Sequence, residues 1–137
     1  MTPAARAAMV ALALLPTACA VAPACPSGTA PAAIAELAFG RNAGGTLRVT
    51  DVDWARFLAD EATPRFPSGL TILDTHGQWR GADGRIEQEP GKVIWLVLPG
   101  ATLEEAAART STLAAAYRDR FSQESVLRVF RDGCAGF

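Results

Sequence analysis

The chain has 137 residues, half of them hydrophobic and a fifth charged, and its formal net charge is −1 at pH 7. This length is typical of a single domain, and the composition is that of a packed globule rather than a disordered chain. The near-neutral charge gives no electrostatic basis for binding nucleic acid or an anionic membrane surface. Three Cys and one His could build a four-ligand zinc site only if all four converged, so we expect no metal and no cofactor.

The first residues have the pattern of an export signal. Arg6 precedes an apolar run over residues 7–15, which is too short to cross a bilayer of about 30 Å. Leu15-Pro16-Thr17-Ala18-Cys19 approximates a bacterial lipoprotein box, in which Cys19 would carry the lipid. The alternative is an ordinary cut at Ala18-Cys19-Ala20, which would release a soluble protein. We therefore predict a signal peptide over residues 1–18, or 1–20, and an exported protein that meets the membrane only through a lipid anchor at Cys19.

The remaining cysteines also favour export. Either cut leaves Cys25 and Cys134 as an even pair, close to the two ends of the mature chain. In an oxidising compartment such a pair predicts a disulfide, whereas the alternative is two unrelated thiols.

The first half of the mature chain reads as tether, strand and helix. Residues 19–33 are rich in Pro, Ala and Gly and predict a tether, and residues 34–41 alternate as a first strand does. Thr50 predicts a helix start and is followed by an apolar stripe of Trp54, Phe57 and Leu58. We expect this helix to end at Thr63-Pro64, because the residue before a proline avoids the helical region.

The second half predicts three more strands and a long helix. A strand over residues 70–75 is expected to kink at His76-Gly77, before a hairpin over 78–87 with an Asp-Gly turn. A third strand covers residues 92–98. Thr102 and Glu105 form a capping box, and the following helix is expected to bury Ala106, Thr110, Leu113, Tyr117 and Phe121. Residues 126–131 form the last strand.

The resulting order, β-α-β-β-α-β, predicts one α+β domain over residues 34–137. Two helices on one face of a four-stranded antiparallel sheet form the ferredoxin-like arrangement. In that arrangement the third strand is central, which agrees with its continuous apolar run.

The sheet face opposite the helices needs a cover. Val93, Trp95 and Val97 are as apolar as the residues that alternate with them, whereas a strand with one wet face should alternate. If Leu127 and Val129 of the last strand face the helices, Arg128 and Phe130 add aromatic area and charge to the open face. Either a second copy covers the open face, or the N-terminal arm and the long hairpin fold over it. We expect a homodimer.

Several side chains are candidates for ligand binding: Arg41, Arg65, His76, Trp79 and Arg80. Arginine binds carboxylate and phosphate groups through two parallel hydrogen bonds and stacks on aromatic rings. The structural alternative is that these arginines pair with Glu61, Asp83 or Glu89, or cover a tryptophan. Asp74 and His76 could form an acid-base pair, or could be solvated at a bend. No serine or cysteine lies in a nucleophile motif, so we name no catalytic residue.

Several segments of the chain are similar to one known family: Glu36-Leu37-Ala38-Phe39-Gly40-Arg41, Thr63-Pro64-Arg65-Phe66-Pro67-Ser68-Gly69-Leu70-Thr71, Gly77-Gln78-Trp79-Arg80-Gly81, Gln123-Glu124-Ser125-Val126-Leu127-Arg128-Val129, and Cys134. They resemble domain of unknown function 3574, a family of short secreted or lipid-anchored bacterial proteins. The resemblance covers residues 34–137 and implies one compact domain in the cell envelope. It implies no activity, ligand or catalytic residue.

Two functional hypotheses follow. The first is a non-enzymatic envelope domain that binds a ligand, a partner or another copy of itself. The second is a cofactor-free enzyme on a dimeric ferredoxin-like scaffold, with a pocket near Arg41, His76 and Arg80. Convergence of those three side chains in one pocket would favour the enzyme.

Overall fold

The structure is a computed structural model that describes residues 24–80 and 83–136. The predicted signal peptide, the lipidation site Cys19 and Gly81-Ala82 of the predicted turn lie outside the described residues. In chain order the elements are β1 (Ala30–Gly40), β2 (Asn42–Ala43), β3 (Thr46–Leu47), α1 (Asp51–Phe57), a π-helical segment (Leu58–Ala62), α2 (Thr63–Arg65), β4 (Thr71–Arg80), β5 (Ile86–Pro99), α3 (Leu103–Phe121) and β6 (Leu127–Ala135).

The main sheet has four antiparallel strands in the order β4-β5-β1-β6, and β2 and β3 form a small separate hairpin. The first helical run, from α1 to α2, and the second, α3, both contribute to one hydrophobic core. The predicted combination of a four-stranded antiparallel sheet with two helices is therefore confirmed. β1 begins four residues before its predicted start, and β6 ends four residues after its predicted end.

The core lies between the helices and one face of the sheet. Alternate residues of β1 (Ala33, Ala35, Leu37, Phe39) and of β5 (Ile94, Leu96, Leu98) are buried, as the pleat of a strand requires. Phe39 is the centre of an aromatic cluster, and its ring centroid lies 4.8 Å from that of Tyr117 and 5.3 Å from that of Trp54. The five residues predicted for the buried face of α3 are all buried.

Both predicted helix starts are present as capping boxes. The Thr50 hydroxyl accepts from the Asp53 amide, and the Asp53 carboxylate accepts from the Thr50 amide and hydroxyl. Thr102 and Glu105 make the same reciprocal pair at the start of α3. Each box satisfies amide donors that the first helical turn leaves without an internal partner.

The predicted helix end at Thr63-Pro64 is wrong, because the helical run continues to Arg65. The Thr63 amide donates to the carbonyl of Leu58, a bond across five residues that is typical of a π-helix. This wider turn shifts the carbonyl groups of the preceding helical turn relative to the ring of Pro64. A proline ring clashes with the carbonyl four residues earlier in a regular α-helix, and this local widening gives it room.

The predicted kink at His76-Gly77 is also absent, and the third strand begins before its predicted start at residue 92. β4 runs without interruption through His76, and β5 runs through Pro90, which lies opposite His76. The carbonyl of Pro90 accepts from the Arg41 amide, beyond the last residue of β1. The amide nitrogen and carbonyl of a strand residue point to the same side of the strand. The nitrogen of Pro90, which has no hydrogen to donate, therefore faces the end of β1, and the pairing with β4 loses no hydrogen bond.

The last strand has the opposite facing to the one considered in the sequence analysis, in which Leu127 and Val129 face the helices. Leu127 and Val129 are 64% and 43% exposed, whereas Phe130 packs against the core. The register explains this, because Phe130 lies directly opposite the buried Ala35. Residues paired across an antiparallel sheet point to the same face, so the alternate residues Leu127 and Val129 point away from the helices.

We call the sheet face away from the helices the open sheet face. Its apolar side chains come from all four strands: Ile34, Leu73, Val93, Trp95, Val97, Leu127 and Val129. One ion pair, between Arg131 Nη2 and Glu36 Oε1 at 2.6 Å, lies among them. Within residues 24–80 and 83–136 no helix packs on this face, and the described part of the β4–β5 hairpin extends the sheet instead of folding over it.

A disulfide joins Cys25 to Cys134, as predicted, with 5.6 Å between the two Cα atoms. It closes a sequence separation of 109 residues at the end of the sheet where β1 begins and β6 ends. Among the described helices, none is both long enough and apolar enough to cross a membrane.

Candidate functional site

A cleft of about 830 Å³ opens at the end of the sheet where β1 finishes. Three parts of the chain form its walls: the β2–β3 hairpin, the loop between α3 and β6, and the part of the β4–β5 hairpin that extends beyond β1. Ala38 and Leu127, which belong to the open sheet face, also line it. The cleft is therefore continuous with that face, and we treat it as the candidate site.

The floor of the cleft depends on a glycine. The Glu89 carboxylate lies over Gly40, where a Cβ atom would come within 2.6 Å of Oε1. The same Oε1 accepts a hydrogen bond of 2.7 Å from the Asn42 amide. Gly40 therefore lets a β5 carboxylate reach across the end of β1 and hold the start of the β2–β3 hairpin.

The β2–β3 hairpin and the loop between α3 and β6 are tied to each other. Gln123 Nε2 donates to the Asn42 carbonyl at 3.0 Å, and the Gln123 amide donates to the carbonyl of Arg118 at the end of α3. Ser122, between them, has a φ of +56° in the left-handed region. This conformation commonly ends a helix and turns the chain away from its axis. Here it brings residues 122–125 to the cleft.

The third wall carries the exposed aromatic ring of the site. Trp79 on β4 lies opposite Glu87 on β5, and residues paired in this way share a face of the hairpin. Glu89, two residues further along, shares that face because side chains of a strand alternate with a period of two. Trp79 is 43% exposed, so its ring presents a large apolar surface to whatever enters the cleft.

The charge of the cleft is negative. Its lining contains three carboxylates, Glu87, Glu89 and Glu124, and the described lining holds no Lys, Arg or His. In residues 24–80 and 83–136 no three His, Cys, Asp or Glu side chains are grouped as metal ligands, so these carboxylates do not converge on one point. The cleft thus combines one aromatic face with dispersed negative charge, an environment that attracts organic cations.

Arg41, a predicted ligand-binding residue, lies on the other side of the sheet and is held by its own chain. Its Nε donates to the Val49 carbonyl at 2.8 Å, and its Nη2 lies 2.9 Å from Asp51 Oδ1. Lys92 Nζ bridges Asp51 and Asp74 beside it. The hydrogen bond and charge of Lys92 hold the pKa of Asp74 below its usual value. The basic groups here already have acidic partners.

The structure does not bring the five predicted ligand-binding residues together. Arg65 pairs with Glu61, one of the partners that the structural alternative named, and Arg80 donates to the Gly84 carbonyl at 2.9 Å. His76 is exposed on β4. Of the five residues, Trp79 alone lines the cleft. Whether the other four bind a ligand stays a prediction.

The carboxylates of the site are not among the ligand-binding residues predicted from the sequence. The signal that could have found Glu87 and Glu89 is their period-two spacing, since a hairpin register places both on the face of Trp79. Glu124 and Gln123 lie in a loop, where no periodicity indicates the direction of a side chain.

A family model matches residues 34–137 and is described as protein of unknown function (DUF3574). The chain belongs to this DUF3574 family. No curated protein matches it. Among solved structures it is similar to a phage SAM lyase in complex with S-methyl-5'-thioadenosine, with a TM-score of 0.59, 17% identity and coverage of 86% of this chain and 97% of the lyase. It is also similar to a phage SAM lyase in the apo state, with a TM-score of 0.58, 16% identity and coverage of 85% of this chain and 97% of the lyase. At such identity the likeness shows a shared fold for this DUF3574 chain.

Proposed function

We propose that this DUF3574 chain is an exported, non-enzymatic binding domain whose cleft takes a small organic cation. The observation that carries the proposal is the composition of the cleft, whose lining contains the exposed Trp79 ring together with Glu87, Glu89 and Glu124. A cation over an indole face gains from the ring quadrupole, and three carboxylates add a Coulombic attraction. The volume of about 830 Å³ is in the range of small-molecule sites.

The scaffold of this proposal is a ferredoxin-like domain. The strand order β4-β5-β1-β6 supports it, because each helical run then connects two parallel strands that have one antiparallel strand between them. The packing of both helical runs in one core layer is a second support. In such a fold the loops at the β1 terminus are free to vary without disturbing the core, which suits a binding cleft.

Export is supported by two independent features. The signal pattern of residues 1–18 precedes the domain, and the Cys25–Cys134 disulfide suits an oxidising compartment. We expect the full chain to be recovered outside the cytoplasm and to carry a fatty-acid label that Cys19→Ala removes. Recovery in the cytoplasm with both cysteines reduced would contradict export, and an unlabelled exported protein would contradict the anchor alone.

The ligand proposal is tested by a thermal-shift screen of cationic, neutral and anionic metabolites. It includes SAM, which carries a positive sulfonium, and the uncharged S-methyl-5'-thioadenosine as a matched pair. Ligands that bind the folded state raise its melting temperature. We expect the hits to be cations, and their affinity to fall about tenfold in Trp79→Ala, a loss in the range of one cation–π contact.

The matched control for that variant is Val52→Ala, which truncates a side chain that is 61% exposed on α1, away from the cleft. Its affinity for each hit should equal that of the unchanged protein. Glu87→Gln should weaken the binding of cations and leave the binding of neutral ligands unchanged. Hits concentrated among anions, or cation binding that survives Trp79→Ala, would overturn the proposed site.

A second candidate is a cofactor-free enzyme on the same scaffold. The observation that favours it is that the phage SAM lyase, an enzyme, has this fold. On this chain the candidate acid-base pair is Asp74 and His76, two residues apart on one face of β4, although Asp74 is bonded to Lys92. Conversion of SAM by the purified protein, abolished in His76→Ala, would favour the enzyme over the binding domain.

A further inference from the structure

The open sheet face has the composition of a surface that is buried in the working molecule. The central strand β5 carries apolar side chains on both faces over residues 93–98, a pattern found where a sheet is covered on both sides, and its neighbour β1 adds Ile34 and Ala38 beside Glu36 on the open sheet face. On the helix side the cover is present. On the open sheet face Leu73, Leu127 and Val129 remain 49%, 64% and 43% exposed. A contiguous apolar patch of this kind on a monomer marks an interaction surface.

We propose that a second copy of this chain packs on the open sheet face and forms the missing wall of the cleft. The patch is large enough for this. With strands about 4.8 Å apart and a rise of about 3.3 Å per residue, its paired portion measures about 500 Å². Two copies would bury about 1,000 Å², the size at which specific interfaces begin. A two-fold pairing hides both patches at once, because each copy supplies the same surface.

The charges of the face are compatible with a second copy. Its central acid and base, Glu36 and Arg131, are already bonded to each other, so two copies would not bring unpaired like charges together. The other carboxylates lie at one end, in the cleft. The interior of the interface would therefore consist of apolar side chains around one neutralised pair, the usual anatomy of a stable interface core.

The cleft gives this interface a functional consequence. Leu127 belongs both to the open sheet face and to the cleft lining, and Ala38 does so as well. A copy seated on the face therefore borders the cleft on its open side. The hairpin arm that carries Trp79 extends beyond β1, where its two strands pair with each other and Glu89 bonds to the Asn42 amide. An isolated two-stranded arm is marginally stable, and contact with a second copy would support it.

The test is sedimentation of the purified exported protein over a concentration series up to about 1 mM, where even weak association is half complete. We expect a dimer that Val129→Glu dissociates, with the dissociation constant raised at least about a hundredfold by the buried charge. Val52→Glu places the same charge on exposed α1 and should leave the dimer intact. Both positions are exposed in one copy, so both variants should fold, which circular dichroism checks.

A second variant tests the cleft without any ligand, so its result is independent of the proposed function. The thiol introduced by Leu127→Cys should react with a maleimide more slowly as the protein concentration, and with it the fraction of dimer, increases. The thiol of Val52→Cys should react at the same rate at every concentration. A protein that stays monomeric, or a dimer that Val129→Glu leaves intact, overturns the interface. A dimer in which the Leu127→Cys thiol reacts at its monomer rate overturns the closing of the cleft.

Discussion

Tyr117 shows how a core side chain can also set the position of the cleft. Its ring is buried in the aromatic cluster, and its hydroxyl donates to the Gly40 carbonyl at 2.9 Å. Burial raises the pKa of this hydroxyl above its usual value, which favours the protonated form that donates the bond. The helical spacing predicts the buried ring, but the partner of the hydroxyl is 77 residues away and no local pattern indicates it.

Asp53 should make the stability of the fold sensitive to acid. Bonds from the Thr50 hydroxyl and amide hold the pKa of Asp53 below its ordinary 3.8 in the folded state. A carboxyl whose pKa is lower when folded stabilises the fold above its unfolded pKa, and this contribution is lost as the pH falls through the folded pKa. We therefore expect Asp53→Asn to be less stable than the unchanged protein at pH 6, and this difference to shrink below pH 3.8.

The measurement is the free energy of unfolding in urea at a series of pH values. Asp132→Asn, at an exposed position of β6 outside any helix, is the control and should match the unchanged protein across the series. A difference between Asp53→Asn and the unchanged protein that stays constant from pH 6 to pH 3 would contradict the capping role.

At the scale of helices and strands, the sequence predicts those features that depend on residues close together in the chain. The capping boxes and the buried faces of the helices depend on residues three or four apart, and these predictions are confirmed. Pro64 predicts a helix end, and the predicted third strand begins only after Pro90. Neither proline breaks its element. A π-helical turn precedes Pro64, and the backbone nitrogen and carbonyl of Pro90 face the end of β1. Those compensations depend on neighbours that a sequence window does not contain.

The face of a strand is not a local property either. In β6 both alternating sets hold an apolar residue, Leu127 and Val129 in one set and Phe130 in the other, so hydropathy alone favours the wrong face. The register with β1 determines which face of β6 is buried, because it places Phe130 opposite the buried Ala35. A one-residue change of register would reverse every side chain of the strand.

The candidate site was predictable only in part, for a related reason. Trp79 stands out in the sequence as an aromatic residue in a hairpin, and the structure places it in the cleft. Arginines stand out as anion ligands, yet Arg41 and Arg65 are bonded to acidic groups of their own chain. Whether a charged side chain is free to bind depends on what folding brings beside it.

At the scale of the whole molecule, the Cys25–Cys134 disulfide ties the first described residues to the last strand. For a closed loop of 109 residues the chain-entropy model predicts a contribution of about 4–5 kcal/mol to stability. We expect Cys25→Ala combined with Cys134→Ala to lower the free energy of unfolding by up to that amount. The measurement is guanidinium unfolding with and without reductant.

Reductant should shift the unfolding midpoint of the unchanged protein toward that of the double variant and leave the double variant unaffected. A midpoint of the unchanged protein that does not respond to reductant would show that the bond is absent or contributes nothing. Alkylation before reduction separates these two cases, since bonded sulfurs do not react.

The position of the disulfide also determines which way the domain would point from a membrane. Residues 20–24 alone separate the predicted lipid on Cys19 from Cys25, a reach of at most about 20 Å. From there the 11 residues of β1 lead about 35 Å to the opposite end of the sheet. An anchored molecule would therefore stand on its cystine end and hold the mouth of its cleft outward, toward solutes rather than lipid headgroups.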